Sequence, residues 1–300
     1  MKFVTYNIQY SRGADDQFDI KRTAKAIQGA DIVAMQEVER FWKRSGNIDQ
    51  AEELSRLMPD YHWVFAPNID LDASFYDGDE NLVRRRRQFG LMVMSRWPII
   101  SKRIFPLPKF GAVVHHSTQT GLLETVIDVP TGPIRVYTVH FSHLGGEVRM
   151  PQVEIVLDIV ARAPGEGGVW CGTHPVPSEG WTEGGEPPMP EDVIIAGDFN
   201  FEFNTPEYDR FAGPFFKNHG RMISRTSLRD TWVTAGNEES QGITRPPTPG
   251  AEETSKLTPK RIDYCFVNPS LNERVVNSWI DMEPIASDHQ PVWVEFNMDN

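Results

Sequence analysis

Apolar segments that end in a carboxylate, amide or imidazole side chain recur along this chain of 300 residues. Residues 2–8 alternate in polarity as a β-strand does, and residues 31–37 form a second strand after one short helix. The side chains at or beside such strand ends are Asn7, Glu37, His140, Asp198, Asn200, Asp263, Asp288 and His289. Each of them alone is ordinary as a turn, cap or hydrogen-bonded residue. Their recurrence predicts a sheet-rich chain whose polar strand ends carry the function.

The pattern of strands and helices indicates a single α/β domain over residues 1–300. Strands are predicted at 2–8, 31–37, 62–66, 90–95, 122–129, 134–141, 193–197, 261–267 and 292–296. Helices are predicted at 19–28, 147–162 and 205–213, with Asp19 capping the first and Pro164 ending the second. Residues 130–133 predict a hairpin turn. Because strands outnumber helices and no linker divides the chain, we expect two sheets with helices outside them.

Two stretches are expected to be long surface loops inserted into this domain. Residues 163–190 contain seven Gly and six Pro, a composition that does not hold a helix or a central strand. Residues 70–87 place five acidic side chains before the four consecutive arginines at 84–87. Such a charge run is most often a solvated face. The alternative is a lid whose arginines meet a phosphate.

The charge balance limits the partners. Thirty Lys and Arg stand against 42 Asp and Glu, a formal net charge of −12, whereas proteins that coat nucleic acid carry a basic footprint. Long nucleic acid is therefore the less favoured partner. No apolar run approaches the length of a membrane span, so no membrane insertion is expected. A polar N-terminal segment and two distant cysteines, Cys171 and Cys265, lead us to expect a reducing, cytoplasmic location. The oligomeric state is not indicated.

Several of the polar strand-end residues share one type of ligand atom. Asn7, Glu37, Asp198, Asn200 and Asp288 all offer oxygen. Buried carboxylates repel one another and are costly unless they are paired or bound to a cation. Oxygen ligands suit Mg²⁺ or Mn²⁺, with Ca²⁺ as a further candidate. The cysteines and the histidine spacing match no structural zinc site.

Six short segments, in a fixed order, carry a resemblance to a known family. They are TYNI at 5–8, QEV at 36–38, TVH at 138–140, GDFN at 197–200, RIDY at 261–264 and SDHQP at 287–291. Their order resembles the endonuclease/exonuclease/phosphatase superfamily, and the match extends over residues 3 to 296. The resemblance implies a DNase I-like four-layer α/β sandwich, with two packed mixed β-sheets flanked by helices. It also implies divalent-metal-dependent hydrolysis of a phosphoester.

The same resemblance assigns roles to the strand-end residues. It places the principal divalent ion on Asn7 and Glu37 with Asp288 nearby, and Asp198 and Asn200 across the site beside the attacking water. It pairs His289 with Asp263 and sets His140 against a phosphate oxygen. We therefore expect metal ligands among Asn7, Glu37, Asp198, Asn200, Asp288 and His289, and catalytic roles for His140, Asp198, Asn200, Asp263 and His289. Either Asp198 or His289 can be the general base, and the sequence leaves both open.

Differences between this chain and the motifs of two subfamilies narrow the range of expected substrates. Abasic-site endonucleases place a Tyr where this chain has His140, and the Trp-Cys-Asp-Arg element of inositol 5-phosphatases is not found at 259–264. Together with the acidic charge, this favours a phosphodiesterase or phosphatase that acts on a small-molecule or lipid-derived phosphoester. The alternatives are an endonuclease or exonuclease on DNA or RNA, and a catalytically silent binding module on the same fold.

Overall fold

The computed structural model describes residues 1–247 and 258–298. Its strands are β1 (Lys2–Asn7), β2 (Ile32–Arg40), β3 (His62–Asp72), β4 (Phe75–Tyr76), β5 (Leu82–Val83), β6 (Arg86–Ser95), β7 (Ile99–Pro106), β8 (Gly121–Val129), β9 (Gly132–His140), β10 (Val193–Asp198), β11 (Phe215–Phe216), β12 (Gly220–Arg221), β13 (Arg229–Asp230), β14 (Asp263–Val267), β15 (Val275–Ile280) and β16 (Val292–Phe296). Its α-helices are α1 (Ile20–Ala26), α2 (Gln50–Leu57), α3 (Gly146–Glu166), α4 (Pro206–Ala212), α5 (Thr231–Thr234) and α6 (Pro269–Asn272).

Two six-stranded mixed sheets form the centre of the molecule. The first has the order β15-β16-β1-β2-β6-β3, and the second has the order β13-β14-β10-β9-β8-β7. In each sheet the two middle strands are parallel, β1 with β2 and β9 with β10. Their registers place Asn7 opposite Gln36 and His140 opposite Asp198. The carboxyl ends of β1, β9 and β10 therefore supply Asn7, His140 and Asp198, while Glu37 lies in a bulge within β2 and Asp263 opens β14 opposite Asp198.

Alternation along these strands divides the apolar side chains into three cores. Phe3 and Ile32 of the first sheet meet Leu123 and Ile194 of the second in the central core. The opposite face of the first sheet is covered by α1 and α2 through residues that include Val4, Tyr6, Ile27 and Leu54. The opposite face of the second sheet is covered by α3 and α4 through residues that include Val153, Val156, Tyr208 and Phe211. The predicted four-layer α/β sandwich is confirmed.

The nine predicted strands and three predicted helices are all present, and Asp19 accepts the Lys21 backbone N–H as the predicted N-cap of α1. The turn predicted at 130–133 joins β8 to β9. Of the longer strands, β7 and β15 at two sheet edges were missed, because their exposed positions weaken the apolar pattern. The two-residue strands β4, β5, β11, β12 and β13 were also not predicted. Helix α2, capped by Asp49, was also missed. None of the helices in residues 1–247 and 258–298 is long and apolar enough to cross a bilayer.

The prediction of an irregular loop at 70–87 was wrong. Strands β3 and β6 continue as a paired ladder to Asp72 and Arg86, and β4 and β5 form a short hairpin at the tip. The Arg86 Nε donates to Asp70 Oδ1 at 2.8 Å across the ladder. Opposite charges on neighbouring strands stabilise such pairing, so the charged composition that indicated a loop is compatible with a hairpin.

Helix α3 also runs past its predicted end at Pro164 and stops at Glu166. Proline lacks the N–H that would bond the carbonyl four residues earlier, which here is that of Val160. The buried Arg135 supplies the missing donor, because its Nη1 bonds the Val160 carbonyl at 2.8 Å. The rest of the 163–190 segment contains only a 3₁₀ turn at Pro177–Glu179, in agreement with the predicted loop.

Gly197 shows how tightly the two middle strands of the second sheet approach each other. Its φ is 149°, and a Cβ at this position would lie 2.0 Å from the Val139 carbonyl oxygen. We expect Gly197→Ala to reduce the free energy of unfolding by roughly 2–4 kcal/mol, because strand β9 or β10 must shift. Gly78→Ala is the control, since nothing lies within 4 Å of an added Cβ there. Urea denaturation measures both; equal midpoints for the two variants would contradict the close approach.

Candidate active site

The backbone has positive φ values at two of the residues whose side chains form the candidate site. Glu37 has a φ of 62° and lies in a β-bulge, where the pairing of β2 with β6 shifts register between Met35 and Val38. Asn200 has a φ of 53° just beyond β10. Non-glycine residues rarely adopt such values, and the strain is commonly kept where a side chain has to be aimed at a functional site.

The carboxylates of Glu37 and Asp198 both contact the side-chain amide of Asn7. Asn7 Nδ2 donates to Glu37 Oε1 at 3.1 Å and to Asp198 Oδ2 at 3.0 Å. His140 Nε2 lies 3.5 Å from Asp198 Oδ2 and 4.0 Å from Glu37 Oε1. In the described part of the chain, no Lys or Arg forms an ion pair with Glu37 or Asp198. The pair therefore carries a negative charge that only histidines oppose.

A buried histidine–aspartate pair stands next to this centre. His289 Nδ1 and Asp263 Oδ2 are 2.8 Å apart, and His289 Nε2 faces Asp198 Oδ2 at 3.8 Å. Burial by itself lowers the pKa of His289, but the adjacent Asp263 and Asp198 carboxylates outweigh it and raise that pKa to about 10. Burial raises the pKa of Asp263, and His289 opposes that shift. The two buried groups therefore stabilise each other through the contact between His289 Nδ1 and Asp263 Oδ2.

Hydroxyl side chains hold these residues in place. Ser287 donates to the Asn7 carbonyl at 2.7 Å and accepts the backbone N–H of His289 at 3.1 Å, which ties the 287–289 loop to β1. Thr244 accepts the backbone N–H of Asp263 at 3.1 Å. Thr244 was missed in the sequence because it belongs to no apolar strand. Its contribution is visible only once the chain has folded.

The remaining predicted residues lie at the edge of the centre. Asp288 Oδ2 is 3.5 Å from Arg245 Nη2, and its Oδ1 is 4.0 Å from His289 Nε2. Asn200 donates its side-chain amide to the Phe141 carbonyl at 3.1 Å, and its backbone N–H bonds Asp198 Oδ1 at 3.0 Å. All eight predicted residues are therefore brought to one edge of the sandwich, with Asp288 and Asn200 flanking the carboxylate pair.

A cavity of about 370 Å³ opens over the carboxylate pair. Its lining includes Glu37, His140, Asp198, Asn200, Asp288 and His289. It also includes residues that sequence reasoning missed, namely Gln9, Tyr10, Trp42, Arg44, Ile69, Phe89, His116, Thr118, His143 and Arg245. The cavity is thus lined by aromatic and apolar groups as well as by histidines and two arginines, Arg44 and Arg245. Trp42 and Arg44 follow the Gln36-Glu37 segment closely, which is the one signal the sequence contained for them.

The side chains at this edge fit a divalent cation. Glu37, His140 and Asp198 offer ligand atoms within 4.8 Å of one another, and so do Asp198, Asp263 and His289. Asp263 Oδ1 and His140 Nδ1 are buried without a hydrogen-bond partner among the described residues. The oxygen and nitrogen of the Asn7 amide exchange places by rotation, so Asn7 can present an acceptor instead of a donor. Two clustered carboxylates and an amide are ligands that Mg²⁺ and Mn²⁺ prefer.

Comparison with known proteins settles the family. The model of the Endonuclease/Exonuclease/phosphatase family matches residues 4–289. The chain belongs to this family. Enzymes of the family are divalent-metal-dependent phosphoester hydrolases, in agreement with the carboxylate centre. No protein with a curated description matches the sequence at a significant level.

Solved structures share the fold at low sequence identity. The endonuclease/exonuclease/phosphatase from Beutenbergia cavernae DSM 12333 is 23% identical, with a TM-score of 0.64 over 98% of this chain and 70% of that chain. The mannosyl-6-phosphatase Bt3783 from Bacteroides thetaiotaomicron VPI-5482 is 18% identical, with a TM-score of 0.61 over 99% of both chains. The D. rerio TDP2 complex with a single-strand DNA product is 14% identical, with a TM-score of 0.58 over 99% of this chain and 98% of that chain. These likenesses establish the fold of this chain.

The carboxylate pair generates a prediction about metal binding. We expect Glu37→Ala to weaken Mn²⁺ binding by roughly 10- to 100-fold, because it removes a charged oxygen ligand and leaves Asp198 to carry the ion. Glu53→Ala is the control, since Glu53 only pairs with Arg56 on the surface of α2. Isothermal titration calorimetry with Mn²⁺ measures both variants. An unchanged dissociation constant for Glu37→Ala would remove Glu37 from the metal site.

Proposed function

We propose that this protein is a divalent-metal-dependent phosphodiesterase or phosphatase that acts on a small-molecule or lipid-derived phosphoester. The observation that carries the proposal is the Glu37–Asp198 carboxylate pair, which converges on Asn7 with no ion-paired Lys or Arg among the described residues. Such an arrangement is costly without a cation. A silent binding module is disfavoured because every side chain expected for hydrolysis lies at this edge.

The proposed metal ligands are Glu37 and Asn7, with Asp288, Asp198, Asn200 and His289 as the further candidates. When bound, Mg²⁺ or Mn²⁺ polarises the phosphoryl oxygens and lowers the pKa of a coordinated water. His140 Nε2 lies 3.5 Å from Asp198 Oδ2 in the cavity wall and can present an N–H there, whereas the Asn200 amide is already donated to the Phe141 carbonyl. Hydrogen-bond donors in that position stabilise the charge that develops on the phosphoryl oxygens during attack.

Attack requires a group that takes the proton of the water. Asp198 is one candidate, since its Oδ2 lies among His140, His289 and Asn7 at the centre of the cavity. His289 is the other, because Asp263 holds its Nδ1 and leaves its Nε2 directed at the same position. Its pKa of about 10 means that it could accept the proton only once a bound cation had offset the charge of the surrounding carboxylates. The water oxygen bonds to phosphorus as its proton passes to one of these groups, and the bond between phosphorus and the leaving oxygen breaks. The alkoxide becomes an alcohol by taking a proton from the protonated base or from solvent.

The size of the cavity and the net charge support a small substrate. A volume of about 370 Å³ holds a compact ester, and the charge of −12 opposes a long polyanion. One structural neighbour is named a mannosyl-6-phosphatase, which supports a small phosphoester, whereas the TDP2 complex with a single-strand DNA product keeps a nuclease as the alternative. We also propose a cytoplasmic location, which the free cysteines Cys171 and Cys265 support.

Substrate profiling tests the proposed activity. We expect hydrolysis of bis-p-nitrophenyl phosphate, p-nitrophenyl phosphate or a glycerophosphodiester with Mn²⁺ or Mg²⁺, and loss of hydrolysis when a chelator is added, because the carboxylate pair needs its cation. Phospholipid vesicles, supercoiled plasmid and Ca²⁺ complete the panel. Efficient plasmid cleavage at low enzyme concentration would overturn the preference for a small substrate and favour the nuclease alternative.

Replacing the two candidate bases tests the mechanism. We expect Asp198→Ala and His289→Ala each to lower kcat by roughly 10²- to 10⁴-fold, as the loss of an acid–base group does. Asp158→Ala is the control, because Asp158 pairs only with Arg162 on the surface of α3. Steady-state kinetics on bis-p-nitrophenyl phosphate gives kcat, and circular dichroism verifies the fold. Wild-type turnover in both variants would mean that the site is assigned incorrectly.

A further inference from the structure

A second cavity lies at the segment 281–286, which leads directly into the loop of Asp288 and His289. Its volume is about 310 Å³, and we call it the α1 cavity because α1 forms one of its walls through Arg22 and Lys25. The segment 281–286 forms the other wall. Among the described residues, its lining shares no member with the cavity over the carboxylate pair. The α1 cavity is therefore a separate place on the molecule.

The α1 cavity presents charges of both signs on its two walls. Arg22 and Lys25 belong to α1, whereas Asp281 and Glu283 belong to the facing segment. In residues 1–247 and 258–298, the side chains of Lys25, Asp281 and Glu283 form no ion pair, although opposite charges line the same cavity. Charges held apart in this way can each be neutralised by a ligand that carries one charge of each sign.

Arg22 has one donor that the protein does not use. Its two terminal nitrogens bond the Asp15 carboxylate at 2.9 and 3.0 Å, and one of them also bonds the Gln17 carbonyl at 2.9 Å. Its Nε is buried without a hydrogen-bond partner among the described residues, since Asp19 Oδ2 is 3.9 Å away. A buried donor left unpaired is costly, so this Nε is suited to an acceptor that a ligand supplies.

A buried hydroxyl lies on the inner side of the same wall. Tyr6 is fully buried, and its Oη has no hydrogen-bond partner among the described residues. Burial raises the pKa of Tyr6, and the Asp288 and Asp281 carboxylates raise it further. The nearby Ser287 hydroxyl and Arg22 lower that pKa. Because these groups act on it from both sides, the Tyr6 hydroxyl lies between the α1 cavity and the catalytic loop.

One loop connects the α1 cavity to the catalytic centre. Its ends are joined, because the Asp281 backbone N–H donates to the Pro291 carbonyl at 3.1 Å. Between them, the Ile285 carbonyl accepts the backbone N–H of Ala14 at 3.0 Å. The site residues at 287–289 follow in the same loop. A molecule bound against the segment 281–286 therefore contacts the loop that positions them.

We propose that the α1 cavity binds a small zwitterion, with a carboxylate and an ammonium group on a short carbon chain, and that this molecule increases turnover. The carboxylate meets Lys25 and the unpaired Nε of Arg22. The ammonium group meets Asp281 and Glu283. A phosphoester would bring only negative charge to this cavity and would be opposed by the two acids. The effect on turnover rests on the proposed phosphoesterase function, whereas the binding does not.

Binding to the protein without metal tests the site. The probes are glycine, β-alanine and γ-aminobutyrate, whose charged groups are progressively farther apart. We expect at least one of them to bind roughly tenfold or more tightly than the acid and the amine that each lack one of its charged groups. Isothermal titration calorimetry measures all of them, with a chelator present so that no metal recruits the carboxylate. If no zwitterion binds more tightly than its acid and its amine, the proposal is overturned.

Matched variants locate the binding in the α1 cavity. We expect Lys25→Ala and Glu283→Gln each to weaken binding of the best zwitterion roughly 3- to 30-fold, because each removes the partner of one charged group. Lys21→Ala is the control, since Lys21 belongs to the same helix but lines a different cavity. Thermal melts by circular dichroism verify the fold. Equal affinities in Lys25→Ala and Lys21→Ala would place the zwitterion elsewhere and overturn the site.

Kinetics tests the effect on turnover. We expect a saturating concentration of the zwitterion to raise kcat on bis-p-nitrophenyl phosphate by roughly twofold or more, because a molecule that bridges the two walls holds the 287–289 loop in place. The Lys25→Ala enzyme should keep its basal kcat and lose the increase. An unchanged or lowered kcat in the unmodified enzyme overturns the regulatory role.

The outcomes separate this inference from the proposed function. If bis-p-nitrophenyl phosphate is hydrolysed with Mn²⁺ but no zwitterion binds better than its singly charged analogues, the α1 cavity is not the site and the phosphoesterase function stands. If no phosphoester is hydrolysed while Lys25→Ala weakens zwitterion binding, the binding site stands. The catalytic proposal then fails, and the regulatory role fails with it.

Discussion

The repulsion between two carboxylates, Glu37 in the bulge of strand β2 and Asp198 at the end of β10, governs much of this structure. Glu37 and Asp198 converge on one amide, that of Asn7, and the chain surrounds them with histidines. Like charges this close are unfavourable in a partly buried setting, so the surrounding fold has to supply the stability that the site lacks. The three apolar cores do so, since the middle strands that carry these residues are buried on both faces.

The topology explains why the charges meet where they do. In both sheets the parallel pair is central, so two strand ends of each sheet reach the same edge, and packing the sheets face to face joins the four ends. The close approach of the β9 and β10 backbones at Gly197 and the bulge at Glu37 then orient individual side chains. Strained backbone is tolerated at these points because long ladders on either side hold the strands in register.

Alternation and apolar runs, which are local properties, predicted the long buried strands and two sheets with helices outside them. The four-layer sandwich and the grouping of the eight polar residues into one candidate site were implied by the order of the six family motifs. Sequence reasoning failed where local composition was misleading. Residues 70–87 read as a loop because their charges dominate, yet the Asp70–Arg86 pair forms only when two strands are side by side. Thr244 and Trp42 were missed for a related reason. Their roles depend on contacts with residues far away in the chain, and such contacts leave no periodic signal.

The net charge of −12 is likewise a property of the whole chain that does not reveal how the charge is distributed around the site. The net charge of the whole chain disfavours the binding of long nucleic acid, because an extended polyanion contacts a large part of the protein surface. The structure distributes that charge unevenly. Asp70 is paired with Arg86 and Glu39 with Arg44, whereas Arg85 and Arg87 carry charge that no described acid offsets. At ionic strengths near those in cells, charges more than about 8 Å apart are largely screened. A small ligand in the cavity would therefore experience the carboxylate centre and the cations nearest to it rather than the total charge. The acidity of the whole chain then limits the length of the substrate more than its chemical class.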